Sequence, residues 1–321
     1  MDAVLTLERR SSVVECRPAG TVAGCAATAY IVDNQVGEAP VWDAARQCLW
    51  WIDVRAPELL RLDPATAEVE RWRLPEPVGA LALRADGCLL LALRNHAWLF
   101  DPATETLAVF AAVETNRPGN RLNDGKVSNS GRWWLVGSMD DRLPDKQASG
   151  ALYRIDAQGQ VLRLHEGLTI ANGLAWSLDG SRLYFSDSPS GQIWQAPWDE
   201  AHGTMGAPEL FATSLEAAGR PDGALVDAQD RYLSAGVSAG CLNRFDASGQ
   251  KLDTLALPCR APTMPCYGGA SGHDLFVTSL VRPHWNSAAG SADGQLYRLA
   301  WFGTGKRVGE MDSGFGGAVS G

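Results

Sequence analysis

Four residues in separate parts of the chain each carry a side-chain oxygen, and each stands just before a short strand-like segment: Glu38, Asn123, Asn172 and Asp222. A local turn is enough to explain any one of them, and that simpler interpretation stays open for each residue taken alone. Together they suggest convergence on one site. Two carboxylates and two amides would be costly to bury unless a cation balanced them. An all-oxygen set suits Ca²⁺, Mg²⁺ or Mn²⁺.

The stretch RLNDGKV, residues 121–127, adds a positive charge near this set. In a strand, Arg121 and Asn123 would share one face because side chains alternate with a period of two. A single arginine on a loop is usually a solvated surface group, and this alternative is kept. Beside a cation, however, its planar donors would suit sugar hydroxyls, a carboxylate or a developing oxyanion. Asp124 and Lys126 are interpreted as structural, with Asp124 capping amides in its own turn.

Other chemistry is less well supported. None of the five histidines accompanies a serine or cysteine in a recognised nucleophile motif, so a Ser-His-Asp hydrolase is not expected. The twelve tryptophans are predicted to lie mostly in the core, although Trp50 or Trp51 could form the floor of a sugar pocket.

A repeat explains how distant residues could meet. One unit is a strand that ends in a turn, and it occurs six times: ELLRLDP, AWLFDP, ALYRIDAQG, QIWQAP, CLNRFDASG and QLYRLA. A second, strand-turn-strand unit interleaves with it, again six times, as in ALALRADGCLLLAL and GLAWSLDGSRLYFSD. No segment with convincing helical periodicity separates them. This pattern predicts an all-β, six-bladed β-propeller rather than a pair of β-sandwiches.

In a propeller, the first strand of each blade lines the central channel, so the predicted metal site lies on the central axis. The leading positions of the six inner strands are then Glu38, Val78, Asn123, Asn172, Asp222 and about Pro265. We expect four strands in each blade. The segment ATAYIVD, residues 27–33, should pair beside QLYRLA and close the ring.

Length and composition fit one large globular domain. The chain has 321 residues, 45% of them hydrophobic, and a net charge of −9, which argues against nucleic-acid binding. No apolar run is long enough to span a membrane, and the N-terminus lacks the apolar core of a signal peptide. The seven cysteines form no CxxC pair and are expected to be reduced thiols of a cytoplasmic protein. We expect a poorly ordered or surface-packed extension at 1–26, one propeller domain at 27–321, and a monomer or weak homodimer.

Six stretches, found in order from about residue 30, resemble the regucalcin/gluconolactonase family of metal-dependent sugar lactonases. They are GEAPVWD, NRLNDGKVSNSGRWWLVGSMD, GALYRID, ANGLAWSLDGSRLYFSDS, RPDGALVDAQDRYLSAG and CYGGASGHDLFVTS. The resemblance implies that one divalent cation is held by Glu38, Asn172 and Asp222. Ca²⁺ is the first choice, with Zn²⁺, Mn²⁺ and Mg²⁺ as alternatives.

The same resemblance implies that Asp222 is the catalytic acid/base and that Arg121 and Asn123 bind the substrate. Asp140, in GSMD, is the candidate for a further hydroxyl contact, although the loop DDRLPDKQASG that follows differs from the family pattern. The implied reaction is hydrolysis of a sugar lactone, such as gluconolactone or a pentonolactone, to the aldonic acid. Two alternatives stay open: a phosphotriester or aryl-ester hydrolase on the same scaffold, and a non-catalytic calcium-binding propeller.

Overall fold

The computed structural model describes residues 4–142, 145–282, 290–300 and 302. The end of the predicted domain, residues 303–321, lies outside these ranges. The described residues form 28 strands and one short 3₁₀ helix, Glu216–Ala218. In this part of the chain, no helix has the length and apolar character that a membrane span requires.

The strands are numbered in chain order. Four precede the first inner strand: β1 (Leu5–Thr6), β2 (Arg9–Val13), β3 (Cys16–Val22) and β4 (Cys25–Tyr30). Blade 1 contributes β5 (Gly37–Asp43), β6 (Cys48–Asp53), β7 (Glu58–Asp63) and β8 (Glu68–Arg73). Blade 2 contributes β9 (Val78–Leu83), β10 (Leu89–Leu93), β11 (His96–Asp101) and β12 (Thr106–Ala112).

Blade 3 contains β13 (Asn120–Val127), β14 (Trp134–Asp140), β15 (Gly150–Ile155) and β16 (Val161–Leu168). Blade 4 contains β17 (Ala171–Trp176), β18 (Arg182–Asp187), β19 (Gln192–Asp199), β20 (Thr204–Met205) and β21 (Glu209–Thr213). Blade 5 contains β22 (Pro221–Val226), β23 (Tyr232–Gly236), β24 (Cys241–Phe245) and β25 (Lys251–Ala256). Blade 6 contains β26 (Pro262–Gly268), β27 (Asp274–Ser279) and β28 (Leu296–Leu299).

These strands form six antiparallel sheets, which confirms the predicted propeller. The inner strands β5, β9, β13, β17, β22 and β26 contact one another in that order, and β26 returns to β5. Each blade packs between two neighbours, so the second strands of blades 1 and 2, β6 (CLWWID) and β10 (LLLAL), are buried along their whole length. Strands on the outside alternate instead, as in KLDTLA. This contrast follows from which faces are buried.

The ring closes as the sequence predicted. Strand β4 pairs with β28 in antiparallel register, from Leu296 opposite Tyr30 to Leu299 opposite Ala27. The N-terminal segment therefore supplies the strand that blade 6 lacks.

The expectation of four strands in every blade was wrong for four blades, which have five. Three of the additional strands come from the N-terminal extension: β1 pairs with β12, β2 with β8, and β3 with β4. Residues 5–22 thus contribute edge strands to blades 1, 2 and 6. Added strands cover outer edges that would otherwise present unpaired backbone groups. Blade 4 gains the short β20 instead.

The recurring aspartates of the first repeat each build the same turn. The carboxylates of Asp63, Asp101, Asp156 and Asp246 accept a hydrogen bond from the backbone N–H two residues later, at 2.8 to 2.9 Å. These are Asx turns, which explains why aspartate marks the strand ends in four of the six repeats.

Aromatic residues fill the spaces between blades. Trp50 stacks on Trp72 at 5.5 Å in the core shared by blades 1 and 2. Trp51 belongs to the core between blades 6 and 1 and donates its indole N–H to Asn34. Both Trp50 and Trp51 are 0% exposed, so the expectation that one of them forms the floor of a sugar pocket was wrong. Each of the seven cysteines lies in the described ranges, and none forms a disulfide.

Candidate active site

One end of the central channel opens into a cavity of about 390 Å³, a size typical of small-molecule sites. Five charged residues line it: Glu38, Arg121, Arg220, Asp222 and Arg282. Asn123, Asn172 and Ser188 add polar groups, and apolar side chains, including Val36, Met139 and Ile170, complete the wall.

A smaller cavity, of about 90 Å³, is lined by residues further along the inner strands, including Val41, Trp176 and Met264. It contains Pro265, so the proposed sixth leading position lies away from the acceptor set. Lys126 crosses the channel here and donates from Nζ to the backbone O of Ala224, two blades away, at 2.6 Å. The concentration of polar groups in the larger cavity makes it the candidate active site.

Backbone irregularities position the four acceptors. Strand pairing shifts register directly after Glu38, Asn123 and Asn172, and between Pro221 and Ala224, which flank Asp222. An extra residue in one strand re-aims side chains and tightens the local twist. The same irregularity at the same level of four inner strands brings the predicted residues together in one cavity.

A chain of hydrogen bonds links three blades around this cavity. Arg121 donates from NH1 to Asn123 Oδ1 at 2.8 Å, and Asn123 donates from Nδ2 to Asn172 Oδ1 at 3.2 Å. Asn172 donates from Nδ2 to Ser188 Oγ at 2.7 Å, and Ser188 donates to the backbone O of Pro221 at 2.6 Å. This network fixes both amides and ends beside Asp222.

Arg121 is 6% exposed, so the solvated-surface interpretation of this residue was wrong. Its Nε donates to Asp141 at 3.1 Å and its NH1 to the backbone O of Leu122 at 2.9 Å. Its third nitrogen, NH2, has no hydrogen-bond partner among the residues that the structure describes. Because Arg121 lines the cavity, that nitrogen is available to a ligand.

Without a bound cation, the folded protein disfavours the ionised forms of the two cavity carboxylates, Glu38 and Asp222. Burial raises the pKa of Glu38 well above its usual range, and the negative charges of Asp222 and Asp124 raise it further. The N–H of Ala39, which donates to Glu38 Oε2 at 3.0 Å, and the charge of Arg121 act in the opposite direction.

Burial also raises the pKa of Asp222 well above its usual range, with Asp124 as the next cause, while Arg220 and Arg282 lower it. Asp124 itself is 3% exposed and accepts hydrogen bonds from the N–H groups of Gly125 at 2.6 Å and Leu174 at 3.2 Å. It therefore caps a backbone amide, as predicted, but at the bulge inside β13 rather than in a turn, and it also joins blade 3 to blade 4.

This donor set fits a hard divalent cation. Within the described ranges, no three His, Cys, Asp or Glu side chains are grouped as metal ligands. The acceptors that converge are instead two carboxylates, Glu38 and Asp222, and the amide oxygen of Asn172. Two buried carboxylates that resist ionisation next to each other are what a dication would stabilise.

Asp140 does not line the cavity. Its carboxylate accepts hydrogen bonds from Arg142 Nε at 2.7 Å, from NH2 at 2.8 Å and from the backbone N–H of Gln147 at 2.8 Å. The Arg142 hydrogen bond is the main reason that the pKa of Asp140 is strongly lowered. The neighbouring Asp141 does not line the cavity either, but it contacts a cavity residue, because it joins Arg121 to Arg55, with 3.0 Å to the latter.

Three polar or charged residues of the cavity were not predicted: Ser188, Arg220 and Arg282. Arg220 precedes Asp222 by two residues, so strand periodicity could have placed it on the same face. Ser188 and Arg282 follow the ends of β18 and β27, and the sequence carries no comparable signal for them.

A GxSxG spacing does occur once, as GVSAG at residues 236–240, and the expectation of no nucleophile motif overlooked it. The segment is the hairpin turn between β23 and β24, not the strand-to-helix turn that exposes a nucleophile. Ser238 instead donates to the backbone O of Glu216 at 2.7 Å and accepts the N–H of Arg220 at 2.8 Å.

Comparison with known proteins identifies a family that covers the six-bladed part of the chain. Residues 36–281 match the family described as the SMP-30/Gluconolactonase/LRE-like region. The chain belongs to this family. That span begins and ends beside the cavity, at Val36 and Val281, and includes the inner strands of all six blades.

Members of the SMP-30/gluconolactonase family resemble this chain over most of its length. The 6-deoxy-6-sulfogluconolactonase of Pseudomonas putida is 36% identical over 76% of this chain and 83% of its own. Pentonolactonase XacC of Haloferax volcanii is 29% identical over 86% of this chain and 95% of its own. The crystal structure of a calcium-binding protein, regucalcin, from Agrobacterium tumefaciens has a TM-score of 0.80 at 28% identity, covering 91% of this chain and 96% of that one. The predicted family is thus confirmed, and its named relatives include sugar lactonases, which are carboxylic ester hydrolases.

Proposed function

We propose that the protein is a divalent-cation-dependent lactonase that hydrolyses a sugar lactone to the aldonic acid. The observation that carries this proposal is the convergence of Glu38, Asn172 and Asp222 with Arg121 and Asn123 in one cavity. The names of two relatives, a sulfogluconolactonase and a pentonolactonase, support it.

Glu38, Asn172 and Asp222 would hold the cation, and Ca²⁺ is the first choice because a related structure is that of a calcium-binding protein. When bound, a divalent cation supplies Lewis-acid polarisation of the ester carbonyl and stabilises developing negative charge. Zn²⁺, Mn²⁺ and Mg²⁺ are the alternatives to test.

Arg121 and Asn123 bind and orient the lactone. Arg121 is held by Asp141 and by the backbone O of Leu122, so its NH2 is pre-organised towards the cavity and loses little entropy on binding. Preorganised donors of this kind also stabilise an oxyanion as it forms.

Asp222 moves the proton. It accepts the proton that water releases as the water oxygen bonds to the ester carbon, and it returns that proton to the ring oxygen as the ester C–O bond breaks. In the cation-free protein, burial raises the pKa of Asp222 most, Asp124 raises it further, and Arg220 and Arg282 lower it.

A lactone panel tests the proposal. Metal-free protein is reloaded with one cation at a time and assayed by acid release from pentonolactones, hexonolactones, a phosphotriester and an aryl ester. We expect turnover of sugar lactones that depends on added cation. Cation binding without turnover of any substrate would instead favour a calcium-binding propeller, and preferential turnover of the phosphotriester or aryl ester would move the activity to the other hydrolase class.

A further inference from the structure

The mouth of the candidate active site has two apolar walls. One wall consists of Val36, Leu280 and Val281, and a backbone bridge between Val36 and Leu280 joins blade 1 to blade 6. The other consists of Met139 and Ile170, and a backbone bridge between these two residues joins blade 3 to blade 4. Because six blades surround the axis in order, the junction of blades 6 and 1 lies opposite the junction of blades 3 and 4. The two walls therefore face each other across the mouth, and the space between them is called the apolar slot.

The apolar slot lies outside the acceptors along the channel. Val36 directly precedes β5, Glu38 is the second residue of that strand, and Val41, further along it, lines the smaller cavity. In blade 4, Ile170 precedes Asn172 by two residues in the same way. A ligand whose ring ester reached the acceptors would therefore extend its other end between the two walls.

The side chains of the two walls offer no strong hydrogen-bond partner. They are aliphatic except for the methionine, whose thioether is only a weak acceptor. The backbone O atoms of Val36 and Ile170 already accept the N–H groups of Val54 at 2.9 Å and Ser188 at 3.2 Å. A hydroxyl held between the walls would give up hydrogen bonds to water without replacing them, which is costly.

Polar groups are concentrated elsewhere in the cavity. Arg121 and Asn123 lie with the acceptors and are hydrogen-bonded to each other at 2.8 Å. Arg220 and Arg282 lie on the side of blades 5 and 6, where Arg282 donates from NH2 to the backbone O of Val237 at 3.3 Å. Hydroxyls next to the ring ester would therefore meet polar partners, whereas the end of the ligand in the apolar slot would not.

The geometry points to a substrate class: lactones with an apolar group, such as a terminal methyl, at the end of the molecule remote from the ring ester, with that group bound in the apolar slot. This inference rests on the proposed lactonase function and narrows its substrates to deoxy or alkyl-substituted lactones. Enclosing a methyl group between aliphatic side chains is favourable because its surface is removed from water.

The test compares mannonolactone with its 6-deoxy analogue, which carries a methyl group in place of the hydroxymethyl group. The readout is kcat/KM for the deoxy lactone divided by kcat/KM for mannonolactone. We expect a ratio of about 10 or more for wild type, the scale on which an apolar pocket discriminates between substrates that differ by one group. Turnover of both lactones with a ratio of one or less would overturn the inference and leave the lactonase proposal intact.

Two substitutions place a hydroxyl in the apolar slot. Val36→Thr conserves the shape of the side chain and Ile170→Thr keeps the branch at Cβ, so each should lower the ratio by about 10-fold through the added polar group. Val109→Thr makes the same change at a position of β12 that is 36% exposed and does not line the cavity, and it should keep the wild-type ratio. Unchanged ratios in both slot variants, or an equal decrease in Val109→Thr, would overturn the assignment of the slot.

Binding of the product acids provides a readout that does not need turnover. By calorimetry, 6-deoxymannonate should bind more tightly than mannonate to wild type, and this difference should shrink in Val36→Thr. If no lactone is hydrolysed but the difference in binding is present, the lactonase proposal fails and the apolar slot stands. If no lactone is hydrolysed and the two acids bind equally, both proposals are rejected.

Discussion

Ser188 holds Asn172 in one orientation, because Asn172 Nδ2 donates to Ser188 Oγ at 2.7 Å while Ser188 donates to the backbone O of Pro221. The amide nitrogen faces the serine, so the amide oxygen is the end presented to a cation. Mutation of a residue that hydrogen-bonds to a metal ligand commonly lowers metal affinity by 10- to 100-fold. Ser188→Ala should therefore weaken Ca²⁺ binding by about that factor, measured by calorimetry. Ser190→Ala, which removes a nearby hydroxyl bonded to the Asp187 backbone, should leave the Ca²⁺ affinity unchanged. Equal affinities in wild type and Ser188→Ala would show that Asn172 does not depend on this contact.

Arg121→Ala should raise KM for sugar lactones and lower kcat/KM by about 100-fold, since a charge-assisted hydrogen bond contributes roughly 2–3 kcal/mol. The matched control is Arg55→Ala, which removes the other partner of Asp141 without touching the residues that line the cavity. Steady-state kinetics of both variants at saturating cation separate the loss of the Arg121 substrate contact from the loss of one Asp141 ion pair. An effect below twofold for Arg121→Ala would remove Arg121 from the substrate site.

Asp222→Asn and Glu38→Gln distinguish a ligand from a proton carrier. Each substitution removes one negative charge and should weaken cation binding. Glu38→Gln should recover substantially as cation is added, whereas Asp222→Asn should stay 10²–10⁴ slower even at saturation. The measurement is lactonase rate against cation concentration. Full recovery of Asp222→Asn would reduce this residue to a ligand.

Metal-free protein should lose stability as pH rises, and added cation should restore it. The pKa values of Glu38 and Asp222 are raised in the folded protein. Their contribution is therefore fully present below the unfolded value of about 4 and is lost as pH rises through the folded values. Because the cation competes with the protons, the increase in Tm on adding Ca²⁺ should be larger at pH 8 than at pH 5. Glu38→Gln should reduce this pH dependence, and a Ca²⁺ effect that is independent of pH would contradict the assignment.

Two truncations separate edge strands from ring closure. Removing residues 1–13 deletes β1, β2 and Leu7 between them. Leu7 is the buried side chain of this segment, at 7% exposure, and its loss should lower the free energy of unfolding by roughly 2 kcal/mol. We expect a folded protein with Tm lower by about 2–4 °C. Removing residues 1–30 also deletes β3 and β4 and should abolish cooperative unfolding. A cooperative transition in the longer truncation would show that closure does not need β4.

Periodicity allowed the fold and most of the candidate site to be predicted. Six copies of a strand-turn unit required a ring, and the ring placed Glu38, Asn123, Asn172 and Asp222 together. The added strands β1 to β3 were missed because they lie outside the repeat and are polar, as in RRSSV of β2. Asp140 was proposed because GSMD resembles the family pattern, and the sequence does not show that Arg142 folds back onto Asp140. Ser188 and Arg282 act across blades, and such contacts have no local signature.

Closure by β4 and β28 also has a consequence for biosynthesis. The register pairs Tyr30 with Leu296, so this contact has one of the greatest sequence separations in the fold, and contacts of this kind form late. During translation, blades 1 to 5 emerge before the partner of β4 has been made. One edge of β4 therefore stays unpaired until β28 has been synthesised. Arg282, which follows β27 of blade 6, also lines the cavity, so the cavity is complete only after blades 1 to 5 have been synthesised.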